Sequence, residues 1–356
     1  MINVYGLTIM DLKLKIQDSR FTLIQRISLF LWAFCLLGFI ANAQLVTIDG
    51  IPRDTSFTPY MAWIKIKKEF PQAQIVKPSL PARVVAEMNI VYATLPETPF
   101  GKRDLHLDMF RPAQKGKYPA VLFVHGGGWR SGNKSMDIPL AQQIAAKGYV
   151  TATIDHRLSP EALYPAVVYD IKAAVRFIRA NAKKYGINPN KIAIAGSSAG
   201  GQLTALVGTT SGVVKFDGNG GNPGTSSAAQ AIIDIDGVLD FNTPDEKGKD
   251  EETARRSAGA LWFGTTFNQN SEKWIEASPI QYVGKNTPPM LFINSALPRF
   301  HFGRDSVIAV LNKYQIYSEV HTIENTPHPF WLFHPWFEPT VNYITNFLNK
   351  TLKEKK

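Results

Sequence analysis

The feature that most constrains this chain is the pentapeptide Gly196-Ser197-Ser198-Ala199-Gly200, lodged between the apolar run Ile192–Ala195 and a helix-forming stretch that opens near Ala199. A G-x-S-x-G segment that leaves a strand and enters a helix forms a turn so tight that side chains beside the serine would collide. Such a turn lifts the central hydroxyl off the end of a sheet and sets it at a helix N-terminus, where the peptide dipoles favour negative charge. By this register Ser198 is the candidate nucleophile and Ser197 its neighbour.

The surrounding pattern supplies the sheet that the turn requires. Ala120–Val124, Tyr149–Ile154, Lys191–Ala195, Ala231–Ile235, Pro289–Ile293 and Tyr317–Ile323 read as strands, most of them continuous apolar runs. Between them, residues 137–147, 166–184, 305–314 and 336–350 read as helices, with Ile90–Tyr92 and Leu105–Phe110 as two edge strands. Alternating strands and helices predict an α/β fold, a mostly parallel central sheet flanked by helices. Residues 241–287 form an insertion between late strands that holds Leu261, Trp262, Phe263 and Trp274, and it is a candidate lid or wall. Residues 217–227, rich in Gly and Asn, read as a flexible surface loop.

A second motif, His125-Gly126-Gly127-Gly128-Trp129, follows the strand Ala120–Val124 directly. Three glycines leave backbone N–H groups unobstructed, which is what stabilising an oxyanion demands. Gly127, Gly128 and Ala199 are therefore the candidate oxyanion donors, and His125 is read as shaping the loop. A serine nucleophile also needs a base on the loop after the last strand, and His328 in Glu324-Asn325-Thr326-Pro327-His328 occupies it.

With these motifs in view, the chain resembles α/β-hydrolase esterases of the hormone-sensitive-lipase and feruloyl or acetyl-xylan esterase kind. HGGGW at 125–129, DHRLSPE at 155–161, Tyr164-Pro165-Ala166, Asp170 and GSSAGG at 196–201 carry the likeness over about residues 88–350. Asp155, Arg157 and Asp170 are read as scaffold. DIDGVLDF (234–241), EASPIQYV (276–283), PRFHFGRD (298–305) and PHPFWLFHPWF (327–337) are similar to segments of secreted Bacteroidetes esterases of pectin degradation. The resemblance implies serine hydrolysis of a plant polysaccharide ester, with pectin methyl or acetyl esters first and acetyl-xylan or feruloyl esters next. A serine peptidase of the same fold and an inactive carbohydrate-binding relative are the other readings.

The family places its triad acid in the loop after Pro289–Ile293, but Asn294-Ser295-Ala296-Leu297-Pro298 holds no carboxylate. Asp305 is the first acid downstream and the favoured candidate; Asp240 and a dyad without an acid stay open. Trp129, Arg299 and His301 are candidate substrate contacts. Arginine binds carboxylates bidentately, which suits a uronic-acid polymer.

The N-terminus reads as an address. Arg20 and Arg26 precede the apolar run Ile27–Ile40, and Ala41-Asn42-Ala43 closes it, the pattern of a signal peptide over residues 1–43. Residues 44–86 form an N-terminal extension and 87–356 the catalytic domain. The expected location is secreted or periplasmic, with no stable membrane association after cleavage. The formal charge of +10 falls to +8 without the leader's four basic and two acidic residues, which would help attract a polyanion. No basic run interleaved with aromatics points to nucleic acid. A single cysteine, Cys35, excludes a disulfide framework or Cys-rich metal site, and no metal or organic cofactor is expected.

Overall fold

The computed structural model describes residues 45–353; the leader expected at 1–43 lies outside the described residues. In chain order the strands and helices are β1 (Leu45–Ile48), β2 (Ile51–Asp54), α1 (Pro59–Ile66), β3 (Gln74–Ile75), β4 (Val84–Leu95), β5 (Arg103–Pro112), β6 (Tyr118–Val124), α2 (Ile138–Ala146), β7 (Val150–Ile154), α3 (Ala166–Ala180), α4 (Ala182–Tyr185), β8 (Ile187–Ser197) and α5 (Ala199–Thr209). There follow β9 (Ala231–Ile235), α6 (Pro244–Lys247), α7 (Glu251–Arg255), α8 (Ala258–Phe263), α9 (Ser271–Glu276), β10 (Met290–Asn294), α10 (Arg304–Lys313), β11 (Ser318–Thr322), β12 (Phe333–His334) and α11 (Phe337–Thr351).

Eight strands form one sheet in the order β11-β10-β9-β8-β6-β7-β5-β4. The six from β11 to β7 are parallel, and the β4–β5 hairpin joins antiparallel through β5 and β7. Strands β7, β9 and β10 are buried along their whole length. This is why they read as unbroken apolar runs: helices cover both faces of a parallel sheet. On one face, α3 and α5 bring Val168, Ile171, Leu203 and Leu206 against Leu122 and Ile194. On the other, α2 and α11 bring Ile144, Val341, Ile344 and Leu348 against Val121, Phe123 and Ala195. The apolar residues of α11 recur at i, i+4, i+7 and i+11 from Phe337, the stripe of a one-sided helix.

One region differs from the sequence expectation. The loop at 217–227 is not a free surface loop. Arg176 donates to the carbonyls of Asp217, Gly220 and Gly221, Lys172 to the Asp217 carboxylate, and Arg179 to the carbonyl of Ser226. Two arginines on successive turns of α3 thus satisfy carbonyls that the loop's own backbone leaves unpaired, and Lys172 pairs its carboxylate. The stretch before β4, which shows no period, nevertheless folds. β1 and β2 pair as a hairpin, Thr58 caps α1 by accepting from the Met61 amide, and β3 pairs antiparallel with β12.

Candidate active site

The elbow forms as its glycines require. Ser198 sits at φ 55°, ψ −121° at the head of α5, a conformation that few residues with a side chain adopt. It is held there because its amide donates to the Ile235 carbonyl at 2.7 Å. A Cβ on Gly200 would lie 2.0 Å from the Val124 carbonyl oxygen, so no other residue fits where the helix meets the sheet.

Ser198 Oγ lies 2.8 Å from His328 Nε2, and His328 Nδ1 lies 2.8 Å from Asp236 Oδ2. The loop after β11 brings His328 in, and Phe300 stacks on the ring at a centroid distance of 3.5 Å while Trp331 meets it edge-on at 5.2 Å. Burial lowers the imidazole pKa below 6.5, the bond to Asp236 opposes that, and the Arg299 charge lowers it further. The ring is therefore neutral at physiological pH, as a base must be.

The acid corrects the expectation of Asp305. The Asp305 side chain is 80% exposed and pairs with its neighbour Arg304. Asp240 is turned into its own loop, where it accepts from the Asn242 amide. Asp236 instead stands one residue past β9 at φ 56°, wholly buried. β9 and β10 are adjacent and parallel, Ile235 opposite Ile293, so a carboxylate at the end of β9 reaches the space usually served from the end of β10. The turn after β10 now supplies donors. Ser295 N–H gives to Asp236 Oδ1 at 2.8 Å and Asn294 Nδ2 at 3.4 Å. The legible signal was Asp236-Gly237 directly after an apolar strand. Expecting the acid in the loop after β10 missed it because the triad is assembled across strands.

Around the three groups lies an open cleft of about 620 Å³, lined among others by Gly127, Gly128, Ala199, Trp129 and Arg299. Gly127 and Gly128 have positive φ, and Ala199 opens α5, so all three are placed beside Ser198. His125 is buried, with Nδ1 against the Gly126 carbonyl and its ring stacked 4.4 Å from His156. Burial, with His156 adding to it, pushes its pKa down to about 3, so it stays neutral and belongs to the loop's framework. Arg157 and Asp170 form a bidentate pair that ties the loop after β7 to α3.

Trp129 lines the cleft but is committed on its far side. Its Nε1 donates to Gln202 at 2.9 Å, and its ring stacks on Trp262 at 4.9 Å. Trp262, Phe263 and Trp274 are buried in the same aromatic cluster. The insertion is thus a packed wall on an aromatic base, and Ala258, Gly259 and Trp274 face the cleft from it. His301 departs from its expected role as a substrate contact. Its Nε2 lies 2.9 Å from the Ser295 carbonyl, and Arg299, Phe300 and Phe302 line the cleft instead. The Arg299 guanidinium rests over Phe300, 4.5 Å from the ring centre.

Residues 107–297 match the sequence model of the BD-FAE family. The chain belongs to the BD-FAE family. Esterase LipC of Mycobacterium tuberculosis is 34% identical over 196 residues, which are 54% of this chain and 45% of LipC. The chain therefore spans about half the length of that relative. A truncated carbohydrate esterase from gut microbiota superposes with a TM-score of 0.65 at 25% identity, over 77% of this chain and 100% of the other. A bifunctional GH43-CE protein of Bacteroides eggerthii gives 0.63 at 26% identity, over 75% of this chain and 38% of the other. The fold is that of the α/β-hydrolases. Among the described residues no helix is long and apolar enough to cross a membrane.

Proposed function

We propose that this protein is a secreted serine carboxylic-ester hydrolase that removes ester groups from a plant polysaccharide, pectin methyl or acetyl esters first. The observation that carries the reading is the continuous chain from Ser198 Oγ through His328 to buried Asp236, both bonds 2.8 Å long. His328 takes the Ser198 proton as Oγ attacks the ester carbonyl. Asp236 holds Nδ1 protonated so that Nε2 is the accepting atom. The carbonyl oxygen becomes an oxyanion facing the amides of Ala199 and the Gly127–Gly128 segment. His328 then gives its proton to the departing alcohol, and water repeats the sequence on the acyl-enzyme.

The match to the BD-FAE family, the esterase LipC and the two carbohydrate-esterase structures support ester and carbohydrate chemistry. Arg299 at the cleft, which pairs with no carboxylate among the described residues, supports a substrate bearing carboxylates. The leader pattern at 1–43 supports export. The test is hydrolysis of p-nitrophenyl acetate, blocked by a serine-directed phosphonate, followed by product analysis on pectin and on acetylated xylan. Methanol or acetate from pectin supports the reading. Acetate from xylan alone moves the substrate to xylan, and no turnover of any ester by phosphonate-reactive protein overturns it.

A further inference from the structure

The extension before β4 reaches the most demanding part of the site. Asp54, the last residue of β2, is buried to 3% exposure, and its Oδ2 binds the guanidinium of Arg130 while Oδ1 accepts from the Ser56 amide at 2.8 Å. Asp54 also forms a backbone bridge to Ser131, and the Ser131 hydroxyl accepts from the Phe57 amide at 2.9 Å. Arg130 and Ser131 are the residues that close the glycine loop. Their amides both donate to the Gly127 carbonyl, at 3.3 and 3.0 Å. Contact there is so close that a Cβ on Gly127 would meet the Ser131 carbonyl oxygen at 2.1 Å. The position of the Gly127–Gly128 amides is therefore set by Ser131 and Arg130, and theirs by Asp54 and Phe57. The extension also adds Ser56, Phe57 and Lys65 to the cleft lining.

We infer that Asp54 is a positioning residue for the oxyanion hole, acting through Arg130 and Ser131, so that the N-terminal extension is a working part of the active site. This rests on the esterase reading above. An isolated glycine loop has many accessible conformations, and only one aims its N–H groups at the oxyanion. A buried carboxylate bonded to the Arg130 guanidinium, beside a backbone bridge that holds Ser131, removes that freedom before substrate arrives.

The experiment compares the wild type with Asp54→Ala and Arg130→Ala on p-nitrophenyl acetate, and measures inhibition by an aryl trifluoromethyl ketone. Ser198 adds to the ketone carbon, its proton passes to His328, and the carbonyl oxygen becomes an oxyanion in the hole. Loss of one oxyanion donor costs about 10²–10³ in kcat, so displacing the loop without deleting a donor is expected to cost about 10- to 100-fold. KM should stay within about twofold, and the ketone should bind more weakly by the same factor as kcat falls. The acid-limb midpoint of the pH profile should not move, because His328 and Asp236 are untouched.

A folded Asp54→Ala enzyme with wild-type kcat overturns the inference, as does a loss of kcat with ketone affinity intact. Should Asp54→Ala fail to fold by circular dichroism, Arg130→Ala, whose side chain is partly exposed, is judged by the same criteria. A wild type without esterase activity is a different outcome, the failure of the esterase reading itself.

Discussion

Replacing Asp236 by Asn tests the relocated acid with almost no change of shape. The Asn oxygen has one place to go. Ser295 N–H and Asn294 Nδ2 both donate at the Oδ1 position, and turning the amide over would set its NH₂ against the Ser295 N–H. The amide NH₂ must then face His328 Nδ1 in place of Oδ2. A donor opposite Nδ1 makes that nitrogen accept, so the single ring proton moves to Nε2, 2.8 Å from Ser198 Oγ. In that tautomer the ring cannot take the serine proton. The expected loss is about 10⁴-fold in kcat, or about 5.5 kcal/mol of barrier at 1.36 kcal/mol per decade. Initial rates on p-nitrophenyl acetate, with active sites counted by phosphonate titration, measure it. Because the groups act as a unit, adding Asp236→Asn to His328→Ala should cost little more than His328→Ala alone. Retention of more than about a tenth of kcat by Asp236→Asn, against the magnitude expected of a triad acid, would refute the reasoning. So would a steep loss in Asp305→Asn.

The pH dependence should carry the mark of burial: with the His328 pKa lowered, the base is neutral and active above a midpoint that lies below 6.5, and Arg299→Ala should move that midpoint upward in a kcat/KM profile. On a polyuronide ester Arg299→Ala should raise KM about 10- to 150-fold, the worth of a charge-assisted hydrogen bond of about 1.5–3 kcal/mol, while a neutral acetate ester should show little change in KM. Asp137, buried beside α2 with Oδ2 unpartnered among the described residues, has its pKa pushed by burial from 3.8 up to about 7. Its folded pKa exceeds its unfolded one, so stability declines as pH rises from about 4 to about 7. Asp137→Asn should abolish that slope and stabilise the fold at pH 8 by about 1–4 kcal/mol, read from thermal melts.

What the sequence disclosed and withheld follows one division. The elbow, the glycine loop and the base loop are each written in a few consecutive residues, because each is a local backbone problem with a narrow set of solutions. Ser198, Gly127, Gly128, Ala199 and His328 could be named without coordinates for that reason. The acid has no such local signature. Asp234, Asp236 and Asp240 stand at or just past the end of β9, and Asp305 stands at the start of α10. Only the lateral pairing of β9 with β10 shows that Asp236 meets the imidazole. Asp234, two residues earlier, is buried with its carboxyl against the Gly237 amide. The inner strands β6 to β10 were legible to within a few residues because burial on both faces writes them as apolar runs, whereas the half-exposed edge strand β4 runs Val84–Leu95 where only Ile90–Tyr92 reads as strand. The extension was not legible, since its elements are short and its anchors, Asp54 and Phe57, find their long-range partners in the distant loop at 130–131.

The two attachments of that extension have a bearing on the order in which the protein can become active. The Asp54–Arg130 and Phe57–Ser131 contacts close loops of 76 and 74 residues, and the β3–β12 ladder joins the extension to the segment just before the final helix. Contacts so distant along the chain carry a loop-closure entropy that only a largely assembled core can offset. Strand β8 and its elbow rest on β6 and β9 in the middle of the sheet, but the glycine loop acquires its fixed form only when the N-terminal extension has docked as well. A chain whose sheet has formed before the extension docks would hold Ser198 beside a Gly127–Gly128 segment not yet fixed in place.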